Sequence, residues 1–268
     1  MIKADFHVHS DFSIDCTVKA EHQIERAIEL GLDYICITDH CDMNKCKEKE
    51  HLFDIETYVG KINELKEKYK KQITVLCGVE MGLQPALKAR IDDYINSYNF
   101  DFIIGSSHAV KDIDVGYDSD VYFSCKSEKE AYREYFEAIL ENVKASSNYN
   151  VYGHLDFVVR YGPNKNKYFD FNDYKDVFEQ LLKIIIENGK GIEINTAGLR
   201  KNLGYPHPHK DILKMYKDLG GEIITIGSDA HLVEHVGCDF EEIPALLKSL
   251  GFKYYAVFEK QKTKFLTC

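Results

Sequence analysis

Short apolar runs alternate with amphipathic stretches along this chain of 268 residues, and that alternation limits the folds open to it. The runs cover residues 2–7, 34–38, 73–79, 102–105, 151–154, 191–194 and 223–226, with a late one at 253–258. Each has the length of one strand. The stretches at 19–30, 55–70, 85–98, 126–145, 171–188, 208–219 and 241–250 repeat apolar residues at i, i+3 and i+4, which predicts helices. Gly31, Gly189, Gly220 and Gly251 follow four of them, where a left-handed residue ends a helix. Pro208 opens another, where its missing N–H costs nothing. Strand, helix and strand in succession require a parallel sheet covered by helices. No Gly/Ser/Pro-rich linker divides the chain, so one domain spanning residues 1–268 is expected.

A parallel sheet either closes into a barrel or stays open. A barrel collects its site from the C-terminal ends of many strands, whereas an open sheet gathers it at one switch point. The side chains able to bind metal decide between these. His7-Val8-His9 ends the first run, and on a strand both imidazoles face one way. Thr38-Asp39-His40, Gly78-Val79-Glu80, Ser106-Ser107-His108, Gly153-His154 and Ser228-Asp229-Ala230-His231 end later runs. Contributions from so many strands favour the barrel.

A lone histidine near a strand end is usually a hydrogen-bonded core residue. Glu80 and Asp229 are harder to explain, because a carboxylate behind an apolar strand is poorly solvated unless it meets a cation. Their coincidence with His7, His9, His40, His108, His154 and His231 on one rim predicts a metal site. Imidazole and carboxylate donors without thiolates suit zinc, manganese or iron and do not choose among them. A carboxylate such as Glu80 suits a bridged pair of ions and hydrolysis of phosphate esters, amides or lactones.

The net charge of −10 lacks the basic face of a nucleic-acid binder and repels a phosphate substrate, which local divalent cations would offset. The eight cysteines include no C-x-x-C pair; Cys36, Cys41 and Cys46 read as reduced thiols rather than zinc ligands. Met1 leads straight into a strand rather than a secretory signal, and no apolar run approaches a membrane span. A cytoplasmic protein is expected. Residues 41–50 and 111–124 read as long loops that shape a pocket. Asp112, Asp114, Asp118 and Asp120 crowd the second and are candidates to select an ammonium group. Arg160 and Arg200 follow rim strands, and a guanidinium fork binds phosphate bidentately. His207-Pro208-His209 lacks a strand to align its rings, so a substrate contact there is a weaker reading. His22, His51 and His235 read as solvated.

Taken in order, these motifs resemble the PHP (polymerase and histidinol phosphatase) family over nearly the whole chain. The resemblance implies an α/β fold, a distorted (β/α)7 TIM-like barrel, holding three divalent metal ions (zinc, manganese or iron). It implies a first ion on His7, His9, Glu80 and Asp229, a second on Glu80, His108 and His154, and a third on His40 and His231. Asp15 takes the remaining place at the third, as in the histidinol phosphatase branch. The resemblance also implies phosphate binding by Arg160 and Arg200, with Gly116, Tyr117 and Asp118 as pocket wall. The expected activity is a phosphomonoesterase acting on a small phosphate ester, L-histidinol phosphate, in histidine biosynthesis. Either Asp229 or His231 would protonate the leaving alkoxide. The alternatives are another substrate for the same barrel (a nucleotide, an oligonucleotide end or phosphotyrosine) and a non-catalytic metal-binding module.

Overall fold

The computed structural model describes residues 1–45 and 50–268, so Cys46 lies outside the described residues. Seven strands form the barrel: β1 (Ala4–Val8), β2 (Tyr34–Ile37), β4 (Thr74–Gly82), β5 (Phe102–Ser106), β8 (Val151–Tyr152), β9 (Gly191–Asn195) and β10 (Ile224–Gly227). They pair in that order, each parallel to the next. The circle is drawn shut at the rim, where Val8 bridges Ala230 and the Asp229 N–H donates to the His7 carbonyl at 2.7 Å. The barrel is distorted: β8 has two residues against nine in β4, and the register of β1 on β2 shifts between Asp5 and Val8. After β2 the chain breaks at Thr38-Asp39 and rejoins the sheet as β3 (His40–Cys41), which sets His40 beside Glu80 on β4.

Helices cover the outside: α1 (Ala20–Glu29), α2 (Ile55–Tyr69), α3 (Lys88–Asn96), α5 (Glu128–Ala145), α6 (Lys175–Glu187), α8 (Lys210–Asp218) and α9 (Ile243–Ser249). Their starts are set by local chemistry. Ser127 and Glu130 form a reciprocal capping box at α5, and Asp54 accepts from the Thr57 N–H at α2. Pro208 falls outside α8, whose cap is His209, so the expected start is two residues early. Two short helical segments, α4 (Ser119–Tyr122) and α7 (Ala197–Arg200), lie in rim loops, as does a small hairpin of β6 (Ala109–Val110) and β7 (Ile113–Asp114).

The late apolar run is not a barrel strand. It forms β11 (Tyr254–Glu259), antiparallel to β12 (Lys262–Thr267), and this hairpin closes the end opposite the rim. The Lys3 N–H donates to the Tyr255 hydroxyl at 3.0 Å, and Asp101, ahead of β5, accepts from the Lys260 N–H at 3.2 Å. Phe258 packs on Phe102, which meets Phe6 edge-on at 5.0 Å, so the interior is filled rather than hollow. Among the described residues no helix is long and apolar enough to cross a membrane.

Candidate metal centre

His7 is the last residue but one of β1 and His9 follows the strand; His40 is on β3 and Glu80 on β4; His108, His154, Asp229 and His231 follow β5, β8 and β10. Asp15 comes from the loop after β1. The structure brings all nine to one rim. Asp229 does so with φ at +54°, a left-handed conformation uncommon outside glycine, fixed by its N–H bond to His7.

Glu80 is fully buried at the centre. Its Oε1 lies 2.7 Å from His154 Nε2 and 3.1 Å from His108 Nε2. Its Oε2 lies 2.7 Å from His40 Nδ1, 3.3 Å from His7 Nε2 and 3.6 Å from His9 Nε2. Asp229 Oδ1 stands 3.4 Å from His9 Nε2, and Asp15 Oδ2 stands 3.2 Å from His231 Nε2 and 3.7 Å from His40 Nε2. Four donor groups result: His7, His9 and Asp229; His7, Glu80 and His154; His40, Glu80 and His108; His9, His40 and His231. Within each, the ligand atoms lie within 4.8 Å of one another.

His7 Nε2, His9 Nε2, His231 Nε2 and Glu80 Oε2 are buried without a hydrogen-bond partner. Each such atom costs about 1–3 kcal/mol unless something satisfies it. Several converging on one point, all lone-pair donors, fit divalent cations. The tautomers agree. Ser13 donates its hydroxyl to Asp39, so the contact at 3.0 Å between His9 Nδ1 and Ser13 places the proton on Nδ1 and leaves the Nε2 lone pair free. Asp42 does the same for His108, whose Nδ1 it meets at 2.9 Å.

Burial alone would push His7 down, but Glu193, Glu80 and Asp229 hold it well above the usual imidazole value. Burial likewise opposes protonation of His40 and His108. Glu80 and Asp15 raise the first to about 10, and Asp42 and Glu80 raise the second strongly. Burial and the neighbouring His231 and His40 push His9 the other way. Glu80 resists its own burial and stays well below the usual carboxylate range because His108, His7 and His40 surround it.

Two adjoining cavities share Asp15, His108 and Tyr117 in their walls. The smaller, about 210 Å³, touches His40, His154, Asp229 and His231 and is faced by Arg160. Arg160 lies over the Phe157 ring at 4.2 Å, bonds the Tyr161 hydroxyl at 3.0 Å, and keeps its Nε unpartnered. The larger, about 630 Å³, is walled by Asp15, Asp42, Asp112, Asp114 and Asp118 with Met43, Leu83 and His51; among the described residues no lysine or arginine lines it. Lys45 pairs with Asp112 at 3.2 Å. Tyr117 is 65% exposed and borders both chambers.

Other expected residues fall differently. Arg200 turns from the chambers to donate to the Ser228 carbonyl and, at 3.5 Å, to that of Asp229. Asp120 is not on either wall. His51 is half-buried, its ring edge-on to Tyr117, because its backbone pairs with Asp42. His207 is fully buried against Asp156 at 2.5 Å, a core contact. Three residues were missed: Asp42, Ser13 and Glu193, the last contacting His7 Nδ1 at 2.6 Å. A carboxylate inside the apolar run at 191–194 was the available signal for Glu193.

Residues 5–197 match the family described as PHP domain. The histidinol-phosphatase of Lactococcus lactis is 35% identical over 98% of this chain and 96% of its own. The probable histidinol-phosphatase of Thermotoga maritima is 34% identical over 96% of each. A solved structure of the Lactococcus lactis histidinol phosphate phosphatase, complexed with zinc, L-histidinol and phosphate, superposes with a TM-score of 0.88 at 33% identity, covering 98% of each chain.

Proposed function

Because the chain belongs to the PHP domain family, we propose that it is a metal-dependent phosphomonoesterase that hydrolyses L-histidinol phosphate to L-histidinol and phosphate in histidine biosynthesis. We read residues 1–268 as one barrel acting in the cytoplasm on a small phosphate ester, with no nucleic-acid partner. The observation that carries the reading is the set of unpartnered buried donors around Glu80, beside Arg160 and opening on an acidic chamber.

His7, His9, Glu80 and Asp229 would hold one ion, Glu80, His108 and His154 a second, and Asp15, His40 and His231 a third, each zinc, manganese or iron. Bound there, such ions supply Lewis acidity toward a phosphoryl oxygen and lower the pKa of water. The chain's own part is placement. Arg160, stacked on Phe157 and lining the smaller chamber, offers charge-assisted donors to phosphoryl oxygens there. Arg200 acts at one remove, gripping the carbonyls that set Asp229. Asp229 and His231 border the chamber where the leaving alkoxide takes up its proton. The carboxylate-lined larger chamber, with Tyr117 and His51 as aromatic wall, matches the cationic amine and ring of histidinol.

The test is kcat/KM for L-histidinol phosphate against nucleoside monophosphates, phosphotyrosine and p-nitrophenyl phosphate. Histidinol phosphate leads on this reading. Equal turnover of a nucleotide removes the substrate assignment and leaves the phosphoesterase class.

A further inference from the structure

We propose that Glu193 is a positioning residue that couples two of the ion positions, setting His7 and His154 together through the two oxygens of one carboxylate. The inference rests on reading the rim cluster as a metal centre. Glu193 lies on β9 between Ile192 and Ile194 and is 1% exposed. Alternation along the strand gives it the face opposite those isoleucines. Its Oε1 stands 2.6 Å from His7 Nδ1. Its Oε2 accepts from the His154 backbone N–H at 3.1 Å and from Asn195 Nδ2 at 3.2 Å. Two glycines make room for it. A Cβ on Gly227 would stand 2.3 Å from Oε1 and 2.4 Å from His7 Cβ, and one on Gly153 would stand 3.3 Å from Oε2.

The consequences at the two oxygens differ. An acceptor beside His7 Nδ1 holds the ring proton there, so the Nε2 lone pair points toward Glu80 and Asp229. The bond to the His154 N–H fixes backbone where φ is +21°, and from there the ring reaches Glu80 Oε1. His7 serves the group with His9 and Asp229, and His154 serves the group with Glu80. The third position, on Asp15, His40 and His231, has other supports: Asp15 stands 3.2 Å from His231 Nε2, and the Asp229 carbonyl faces His231 Nδ1 at 3.1 Å. Loss of Glu193 therefore strikes two positions and spares the third.

The experiment is a cobalt(II) titration of metal-stripped wild type, Glu193→Gln and Glu193→Asp, read by visible absorption and elemental analysis, with thermal unfolding of each metal-free form. The glutamine amide cannot accept from both His7 and His154, and aspartate keeps the charge but is one carbon too short. Both variants are expected to retain one tightly held ion and to bind the other two roughly 10- to 100-fold more weakly. Wild-type affinity at every position in Glu193→Gln overturns the proposal, as does equal weakening of all three. Full recovery in Glu193→Asp also overturns it, since charge alone would then suffice. If Glu193→Gln does not fold, the aspartate variant decides. Wild type that takes up no cobalt overturns the metal-centre reading instead.

Discussion

Glu80 meets five imidazoles, and among the described residues no other single side chain reaches His7, His9, His40, His108 and His154 together. Glu80→Ala is therefore expected to lose more metal and more activity than alanine at any one histidine, as elemental analysis of the purified variants would show. The two arginines separate by the same reasoning. Arg160 lines the chamber and touches Asp229 only at 3.5 Å, so Arg160→Ala should lower kcat/KM by about tenfold to a hundredfold, on the order of 1.5–3 kcal/mol, with metal content largely kept. Arg200 holds the Ser228 and Asp229 carbonyls, so Arg200→Ala should cost metal as well as rate. Metal retained in the second variant, or lost in the first, would reverse these roles. At this scale, legibility followed sequence distance. Eight of the nine rim residues stand at or just after strand ends and could be found one by one; Asp15, in the loop after β1, came only with the family resemblance. Glu193 meets His7 from 186 residues away and Asp156 meets His207 from 51, contacts that spacing does not reveal.

Among the elements, the barrel strands and their helices were legible because apolar runs and 3.6-residue periodicity change over cleanly. The hairpin of β11 and β12 was not: β12 carries Lys262, Lys264 and mostly exposed positions, so only its partner showed an apolar run. That hairpin is tied to the barrel floor through Asp101, which also takes Lys66 Nζ at 2.5 Å and the Cys77 N–H at 3.0 Å. Asp101→Ala leaves these donors unmatched and is expected to destabilise by about 1–3 kcal/mol in urea unfolding. It should leave metal binding intact, because the floor is the far end from the rim. Loss of metal in a folded Asp101→Ala would contradict that division. On the rim, Gly82 faces the opposite constraint. A Cβ there would lie 1.9 Å from Asp42 Oδ1, so Gly82→Ala should displace Asp42 from His108 and weaken metal retention.

For the molecule as a whole, one parallel barrel turns seven strand ends toward a single point, and the alternation of runs in the sequence already implied that convergence. The charge of the assembled centre was not implied. Without metal, the carboxylates around His7, His40 and His108 push their pKa values up, His40 to about 10, and so favour a proton on the nitrogen that a metal would take. A raised histidine stabilises the metal-free fold fully below its unfolded value of 6.5, and that contribution fades as pH rises through about 10. Metal must displace those protons. Loading at neutral pH should release protons, seen with an indicator dye, and apparent affinity should weaken as pH falls. Uptake without proton release would contradict this.

The central claim is that metal held on this rim hydrolyses L-histidinol phosphate, and the most direct measurement is phosphate release by stripped and reconstituted protein. Chelation followed by gel filtration should abolish turnover of L-histidinol phosphate, and zinc, manganese or iron should restore it. Full turnover by protein verified to be metal-free would contradict the account.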